Sequence, residues 1–425
     1  MIELSKSFNS NSKRPKEVMK KFNLKKLLAG ISYESQLNLV CQMFSDEEKN
    51  KIPVTKYLYN IADTFYVLLE NEYAKTVIGP DYNYIFLKQD KFGLSSGFFQ
   101  RWGKTINDDP TYAPVGPEIL DIEISVNGCP PVGKDGKCCR FCYKNNTNLP
   151  PENMTLDTFK SIIDKFPKVL TQVAFGITGV QTNPDFIPMM KYCREIGIIP
   201  NFTLSGADLT NELADEISTV CGALAVSAYS TDKNVCYDTV KKFTDRGMRQ
   251  VNIHIMVSQE TLPFVYEVLT DRLTDPRLKD MHAIVFLGVK PKGRAKGHFH
   301  SLTKDQYGEL VKKALDSGVN FGFDSCSAQK YFNAINQMNL DPNVLSSMTE
   351  CGEPCESSCM SAYINTIGEY WHCSFTENEP SQTCINVLTA KDFISDVWYS
   401  DSVKKFRSES LIAGRQCTVF PEINK

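Results

Sequence analysis

"EILDIEISVNGCPPVGKDGKCCRFCYK", residues 118–144, decides how the rest of the chain is read. Its first half alternates apolar and polar positions and is rich in Ile, which predicts a β-strand over "EILDIEISV". Its second half places Cys129, Cys138, Cys139 and Cys142 within fourteen positions. Two adjacent cysteines cannot both point into one small site from a regular turn, so Cys138 and Cys139 compete for one place. Cys139 and Cys142 form a C-x-x-C pair, whose spacing lets both thiolates reach one metal centre while backbone amides point at it. Cys129 precedes a Pro/Gly loop, "PPVGKDGKC", able to fold back toward that pair.

Outward from this stretch the pattern becomes regular. "TLDTFKSIIDKFPKV" reads as a helix with Thr155 as its N-cap, and "TQVAFGI" as the next strand. Helix and strand then alternate through "PDFIPMMKYCREIG", "IIPNFTLSG", "LTNELADEISTVC", "GALAVSAYS", "DKNVCYDTVKKFTDRG", "RQVNIHIMVS", "LPFVYEVLTDRLTD", "MHAIVFLGV", "TKDQYGELVKKALDSG" and "VNFGFDS". Such alternation implies a parallel sheet with right-handed crossovers. Its unbroken run favours a partial (β/α)6 TIM-like barrel over a doubly wound sheet. In such folds the chemistry sits at the C-terminal ends of the strands. The cysteine loop follows the first strand directly, and "VNFGFDSC" delivers Cys326 to the end of the last. Domain boundaries follow: an N-terminal α+β module over 1–115 that grips substrate, a barrel over 116–325, and a cysteine-rich extension over 326–425. In the module, "PKEVMKKFNLKKLLAG" and "VTKYLYNIADTFYVLLENEYAKTVI" have helical spacing, and "YNYIFLKQDKFGLSSGFFQRWG" reads as strand, turn, strand.

Composition bounds the function. The chain has 425 residues, 42% hydrophobic and 23% charged, with a net charge of −3. No global basic field argues for nucleic acid, and no apolar run is long enough for a membrane span. The N-terminus lacks the apolar segment of a secretory signal. Fifteen cysteines in a cytoplasmic chain are better read as metal ligands or catalytic groups than as disulfides. Three thiolates with no neighbouring histidine suit an iron–sulfur cluster that keeps one iron open. Zinc remains the alternative. Cys41, Cys193, Cys221 and Cys236 are read as small buried hydrophobes, and His254 as a satisfied core residue.

The strand "EILDIEISVNGC" followed by "CRFCYK" resembles the start of the radical S-adenosylmethionine (radical SAM) superfamily, whose usual motif is C-x-x-x-C-x-Φ-C with Φ aromatic. Phe141 fills Φ. The chain departs from the pattern in its first gap, which holds nine residues between Cys129 and Cys139. The resemblance implies that Cys129, Cys139 and Cys142 hold a [4Fe–4S] cluster, with Cys138 a bystander or supporting thiol. "AFGITGVQTNPDF" stands where the superfamily binds the methionine amino group, which implicates Thr178 and Gly179. "VSAYSTD" is similar to its Ser-x-Asp segment, which makes Ser227 a contact to the ribose or carboxylate. "VKPKGRAKG" is similar to its Pro-x-Gly-Arg segment and puts Arg294 near a carboxylate, for bidentate capture.

"CESSCMSAYINTIGEYWHCSF" and "INVLTAKDFISDVWYSDSVKKFR" resemble the SPASM/twitch extensions, which hold an auxiliary [4Fe–4S] cluster. The ligands implied are Cys326, Cys373, Cys417 and either Cys355 or Cys359, with Cys355 chosen; Cys351 and Cys384 are left outside the set. The activity implied is reductive cleavage of S-adenosylmethionine, hydrogen abstraction by the 5′-deoxyadenosyl radical and modification of a peptide or protein. An electron donor such as flavodoxin or ferredoxin would then be needed. A small-molecule or carbohydrate substrate is the alternative within enzymes. A zinc-binding interaction protein is the alternative outside them.

Overall fold

The computed structural model describes residues 54–424, apart from 73, 89–97, 106–107, 133–137 and 351. The helix expected over 15–30 and Cys41 lie outside the described residues. The helix expected over 54–78 is not there. Instead β1 (Thr55–Ile61), β2 (Thr64–Glu70), β3 (Ala74–Ile78), β4 (Asn83–Leu87) and β5 (Phe98–Trp102) form an antiparallel sheet in chain order. Ala62 and Asp63 both have positive φ, 48° and 65°, the two-residue turn whose twist matches paired strands. Aromatic and β-branched residues such as Tyr57, Tyr59, Phe65 and Val67 prefer that pleated surface. An Ala-Asp turn lacks the glycine that marks most such hairpins, so the sequence read as continuous.

Strands β3 and β4 are buried along their whole length. Lys75, the buried cation of β3, donates from Nζ to the carbonyls of Leu170 (2.7 Å) and Lys168 (3.1 Å). Burial, partly offset by Glu70, holds its ammonium down to about 8. The Tyr84 hydroxyl donates to the Val169 carbonyl and the Tyr82 hydroxyl to Glu118. All these partners precede a strand of the main sheet, so the small sheet docks at the N-terminal ends of those strands.

The main sheet contains β6 (Ile119–Glu123), β7 (Gln172–Gly176), β8 (Ile199–Leu204), β9 (Leu224–Ser227), β10 (Val251–Val257), β11 (Ala283–Gly288) and β12 (Phe321–Phe323). They pair in parallel in chain order. Between them run α1 (Leu156–Ile163), α2 (Phe186–Glu195), α3 (Asn211–Val220), α4 (Lys233–Thr244), α5 (Leu262–Thr274) and α6 (Lys304–Asp316). Thr155 caps α1 as expected, accepting from the Thr158 amide. Alternation along β10 shows how the layers form: Val251, Ile253, Ile255 and Val257 are buried, and His254 and Met256 face the cavity described below. This is the large mixed α/β sheet that the alternating pattern predicts.

After β12 come α7 (Ala328–Asn336) and α8 (Pro342–Glu350), then β13 (Ser361–Ile364), β14 (Glu369–Trp371), β15 (Ile385–Asn386) and finally α9 (Asp401–Ile412). Strand β13 joins the main sheet parallel to β6, with Tyr363 beside Asp121, and β14 and β15 continue it antiparallel. Arg101 of β5 ties the regions together, pairing with Glu118 (2.8 Å) and Glu356 (2.7 Å). Trp398 donates from Nε1 to the Ala113 carbonyl at 2.8 Å. Among the described residues, no helix is long and apolar enough to cross a membrane.

Candidate active site

Leaving β6, the chain turns through Asn127 and Gly128, both at positive φ. Glycine is required at 128, because a Cβ there would meet Pro151 Cβ at 2.9 Å. The Gly128 and Cys129 amides donate to the carbonyls of Leu149 (2.8 Å) and Thr147 (2.9 Å), which closes the cysteine loop at its base. Its other end is gripped by the turn after β11. The Arg294 amide donates to the Cys142 carbonyl (3.0 Å), and Arg294 Nε donates to the Cys139 carbonyl (2.9 Å). Gly293 makes this approach possible, since a Cβ would fall 2.4 Å from the Cys142 oxygen.

Cys129, Cys139 and Cys142 line one cavity of about 560 Å³ at the C-terminal ends of the strands, a size typical of small-ligand sites. Cys138 is not among its lining residues. Burial pushes the Cys129 thiol up to about 11 and the Cys139 thiol to about 12. Cys142 raises both further, while the Phe141 amide, hydrogen-bonded to Cys139, pulls the other way. A bound metal cation reverses this balance and deprotonates its thiols. Among the described residues no group of three His, Cys, Asp or Glu is arranged around a single metal ion. Three soft thiols of one loop that share a cavity, with an amide donor among them, fit a cluster that takes one cysteine per iron.

The other expected site residues divide. Phe141 stacks on Tyr229 (5.8 Å, 17°) and meets Phe299 edge-on, forming an aromatic wall. Ser227 lines the cavity and is hydrogen-bonded to Tyr229. Arg294 lines it too, and its buried Nη2 has no hydrogen-bond partner, so a donor is available for a carboxylate. Thr178 lines the cavity, with its hydroxyl proton given to the Asn127 carbonyl at 2.6 Å. Gly179 is not among the lining residues; it sits where a Cβ would strike Asp208 Oδ2 (2.6 Å) and Pro130 Cδ (2.9 Å). His254 faces the cavity, 3.3 Å from the Thr203 hydroxyl, and burial holds its imidazole down to about 4, hence neutral.

Sequence reading missed a polar network at the cavity rim. Lys144 donates from Nζ to Glu123 (3.1 Å) and to the Tyr363 hydroxyl (2.5 Å), and it pairs with Glu377. Tyr363 donates to Glu377 at 2.9 Å. The signal for half of it was present: "DIE" in β6 puts Asp121 and Glu123 on one face of a strand. The partners from 363 and 377 could not be found by spacing. A second pair, Lys290 with Asp324 at 2.5 Å, closes the far side.

Cys326, Cys355, Cys373 and Cys417 line a second cavity of about 270 Å³. Backbone amides point at two of the sulfurs: those of Phe375 and Thr376 at Cys373, and that of Phe420 at Cys417 (3.3 Å). Burial raises the Cys373 thiol to about 11, and Cys355 adds to the shift. Cys359 is fully buried and belongs to the hydrophobic core. Cys384 is exposed, and Cys351 lies outside the described residues. Cys193, Cys221 and Cys236 are buried in the core, as expected. Asp121 lines both cavities.

No protein-family model matches the chain, and no curated protein matches it. Solved structures do. Streptococcus suis SuiB bound to precursor peptide SuiA aligns with a TM-score of 0.54 and 15% identity, over 69% of this chain and 67% of that one. SuiB bound to S-adenosylmethionine gives 0.53 and 15%, over 69% and 68%. AnSMEcpe with bound AdoMet and Cp18Cys peptide gives 0.51 and 14%, over 72% and 88%. At these identities the comparison establishes a common fold with proteins whose structures hold S-adenosylmethionine and peptides.

Proposed function

We propose that the chain is a radical SAM enzyme that modifies a peptide or protein, with its sheet forming the partial barrel of that superfamily. The observation that carries this reading is the gathering of Cys129, Cys139 and Cys142 on one cavity beside the unpaired Nη2 of Arg294. These thiols would hold a [4Fe–4S] cluster, and Arg294 would take a carboxylate of S-adenosylmethionine. When bound, the cluster supplies one electron to the sulfonium, releasing methionine and a 5′-deoxyadenosyl radical that removes a substrate hydrogen. The chain's own part is positioning and exclusion. Phe141, backed by Phe299, and Tyr229 wall the chamber against water, which matters because a radical is otherwise quenched.

Two further assignments belong to this reading. Residues 326–425 form a SPASM/twitch-like domain whose auxiliary cluster is held by Cys326, Cys355, Cys373 and Cys417. Residues 116–325 form the catalytic barrel and 1–115 an N-terminal module, in a cytoplasmic protein served by a flavodoxin- or ferredoxin-like donor. The peptide substrate class is supported by the peptides bound in the SuiB and anSMEcpe structures. The test is anaerobic reconstitution with iron and sulfide, then incubation with dithionite and S-adenosylmethionine. The expected result is a brown protein with about eight iron per chain that releases 5′-deoxyadenosine. A colourless, zinc-containing protein that releases none would overturn the reading.

A further inference from the structure

Among the described residues, ion pairing around the cavity leaves one cation, Arg294, and one carboxylate, Asp121, unpaired, and the proposed function gives Arg294 to S-adenosylmethionine. Strand β6 turns Asp121 and Glu123 to the same face, and both line the chamber. Glu123 is held by Lys144 and by the Tyr363 hydroxyl, each at 3.1 Å. Lys290 is held by Asp324 (2.5 Å) and the Gly288 carbonyl (2.6 Å). Arg101 is held by Glu118 and Glu356. Among the described residues, no hydrogen bond or ion pair holds Asp121. Its side chain is exposed and lines both cavities. Its strand neighbours are Ala174 on β7 and Tyr363 on β13, and the Tyr363 hydroxyl is bonded to Glu123, Glu377 and Lys144 rather than to Asp121. Glu356 adds negative potential.

We propose that Asp121 receives a cationic side chain of the substrate, a lysine ammonium or an arginine guanidinium, at the end of the chamber nearest the four-cysteine pocket. The inference deepens the proposed function and rests on its reading of the cavity as the substrate chamber. A carboxylate on a cavity wall with no ion-pair partner attracts a cation, and a ligand that fills the cavity strengthens that attraction by displacing water. Desolvation by its surroundings and then Glu356 hold the Asp121 carboxyl up to about 7, and a cation brought against it lowers it again. A carboxylate left without its partner when the ligand is neutral disfavours the neutral isostere, so it acts on specificity more than on general affinity.

The test uses iron-loaded protein saturated with S-adenosylmethionine and anaerobic titration calorimetry. The probes are acetylated, amidated pentapeptides Gly-Gly-X-Gly-Gly, where X is lysine, arginine, norleucine or glutamate. The wild-type protein should bind a cationic peptide at least about tenfold more tightly than the norleucine peptide, and Asp121→Asn should reduce this to within about twofold. Asp121→Glu should keep the preference, and lysine against arginine identifies the cation. Equal affinities, no detectable binding of either cationic peptide, or a preference that survives Asp121→Asn overturns the assignment. Cleavage of S-adenosylmethionine by the same wild-type sample separates the two levels. Cleavage without cationic preference sinks only the Asp121 assignment, whereas absence of cleavage sinks the parent reading.

Discussion

The three cysteines at the mouth of β6 come from one loop of fourteen residues, whereas the four of the second pocket come from segments between 326 and 417. The first set is held by its own loop base and by the Gly293–Arg294 turn, and it faces a chamber of about 560 Å³. The second encloses about half that volume, between β12, the β13–β14 hairpin and the tail. Three thiols on an open chamber leave a coordination position for a reactant, and four in a closed one leave none. The same division separates catalytic from structural zinc sites. Distant ligands also make the second site a cross-link, because metal binding there closes long stretches of chain. On the proposed reading one site would be for chemistry and the other would also hold the chain together.

The largest expected effect tests the open site. Replacing Cys129, Cys139 and Cys142 together by Ala should remove about four iron per chain and abolish release of 5′-deoxyadenosine under dithionite. Continued release in the triple variant would mean that the wrong thiols were chosen. The closed site comes next. Cys373→Ala or Cys417→Ala should each lose about four iron while the other four remain, and limited proteolysis should then cut within 326–424. Iron unchanged in both would show that the hairpin and tail share no cluster.

The sites are also mechanically joined. Lys144, two residues after Cys142, spans Glu123 and Glu377, the latter four residues after Cys373. Lys144→Met strands two carboxylates in a largely buried place, and should cost roughly 3 kcal/mol, read as a lower urea midpoint. A midpoint within error of wild type would show that the network contributes nothing. Cys359→Ala removes a fully buried sulfur and should cost about 1–2 kcal/mol with iron content unchanged. Loss of iron there would exchange Cys359 for Cys355 in the second set. The smallest effect belongs to Cys138→Ala, for which iron and 5′-deoxyadenosine should stay at wild-type levels. A fall in either would transfer the role of Cys139 to its neighbour.

What the sequence disclosed follows the range of the interactions involved. The β/α alternation and the Thr155 cap depend on neighbours within a few residues, and both were legible. The Cys139–Cys142 pair is equally local. Cys355 against Cys359 was open because spacing to Gly368 cannot say which sulfur faces a pocket and which enters the core. The strands over 55–78 were misread because the Ala62–Asp63 turn carries no glycine and each strand is only seven or five residues long. Asp121 shows the limit most clearly. Alternation puts it on the inner face of β6, but that it lacks a partner depends on where Lys144, Lys290 and Arg101 spend their charge.

Strand β13 lies against β6, and Tyr363 reaches Glu123 across 240 residues of sequence. During synthesis, therefore, the strand that leads into the first cysteine loop emerges long before its neighbour on that side. Until 361–364 follow, β6 keeps an unpaired edge, the kind of surface on which chains join one another. Asp121 and Glu123 on that strand, one unmatched and one awaiting the Tyr363 hydroxyl, make the early edge charged and discourage such pairing. The chamber is thus finished last, by the same segment that brings Cys373 and, beyond it, Cys417. The first cysteine loop is therefore synthesised early, and its chamber acquires its final wall only when the tail arrives.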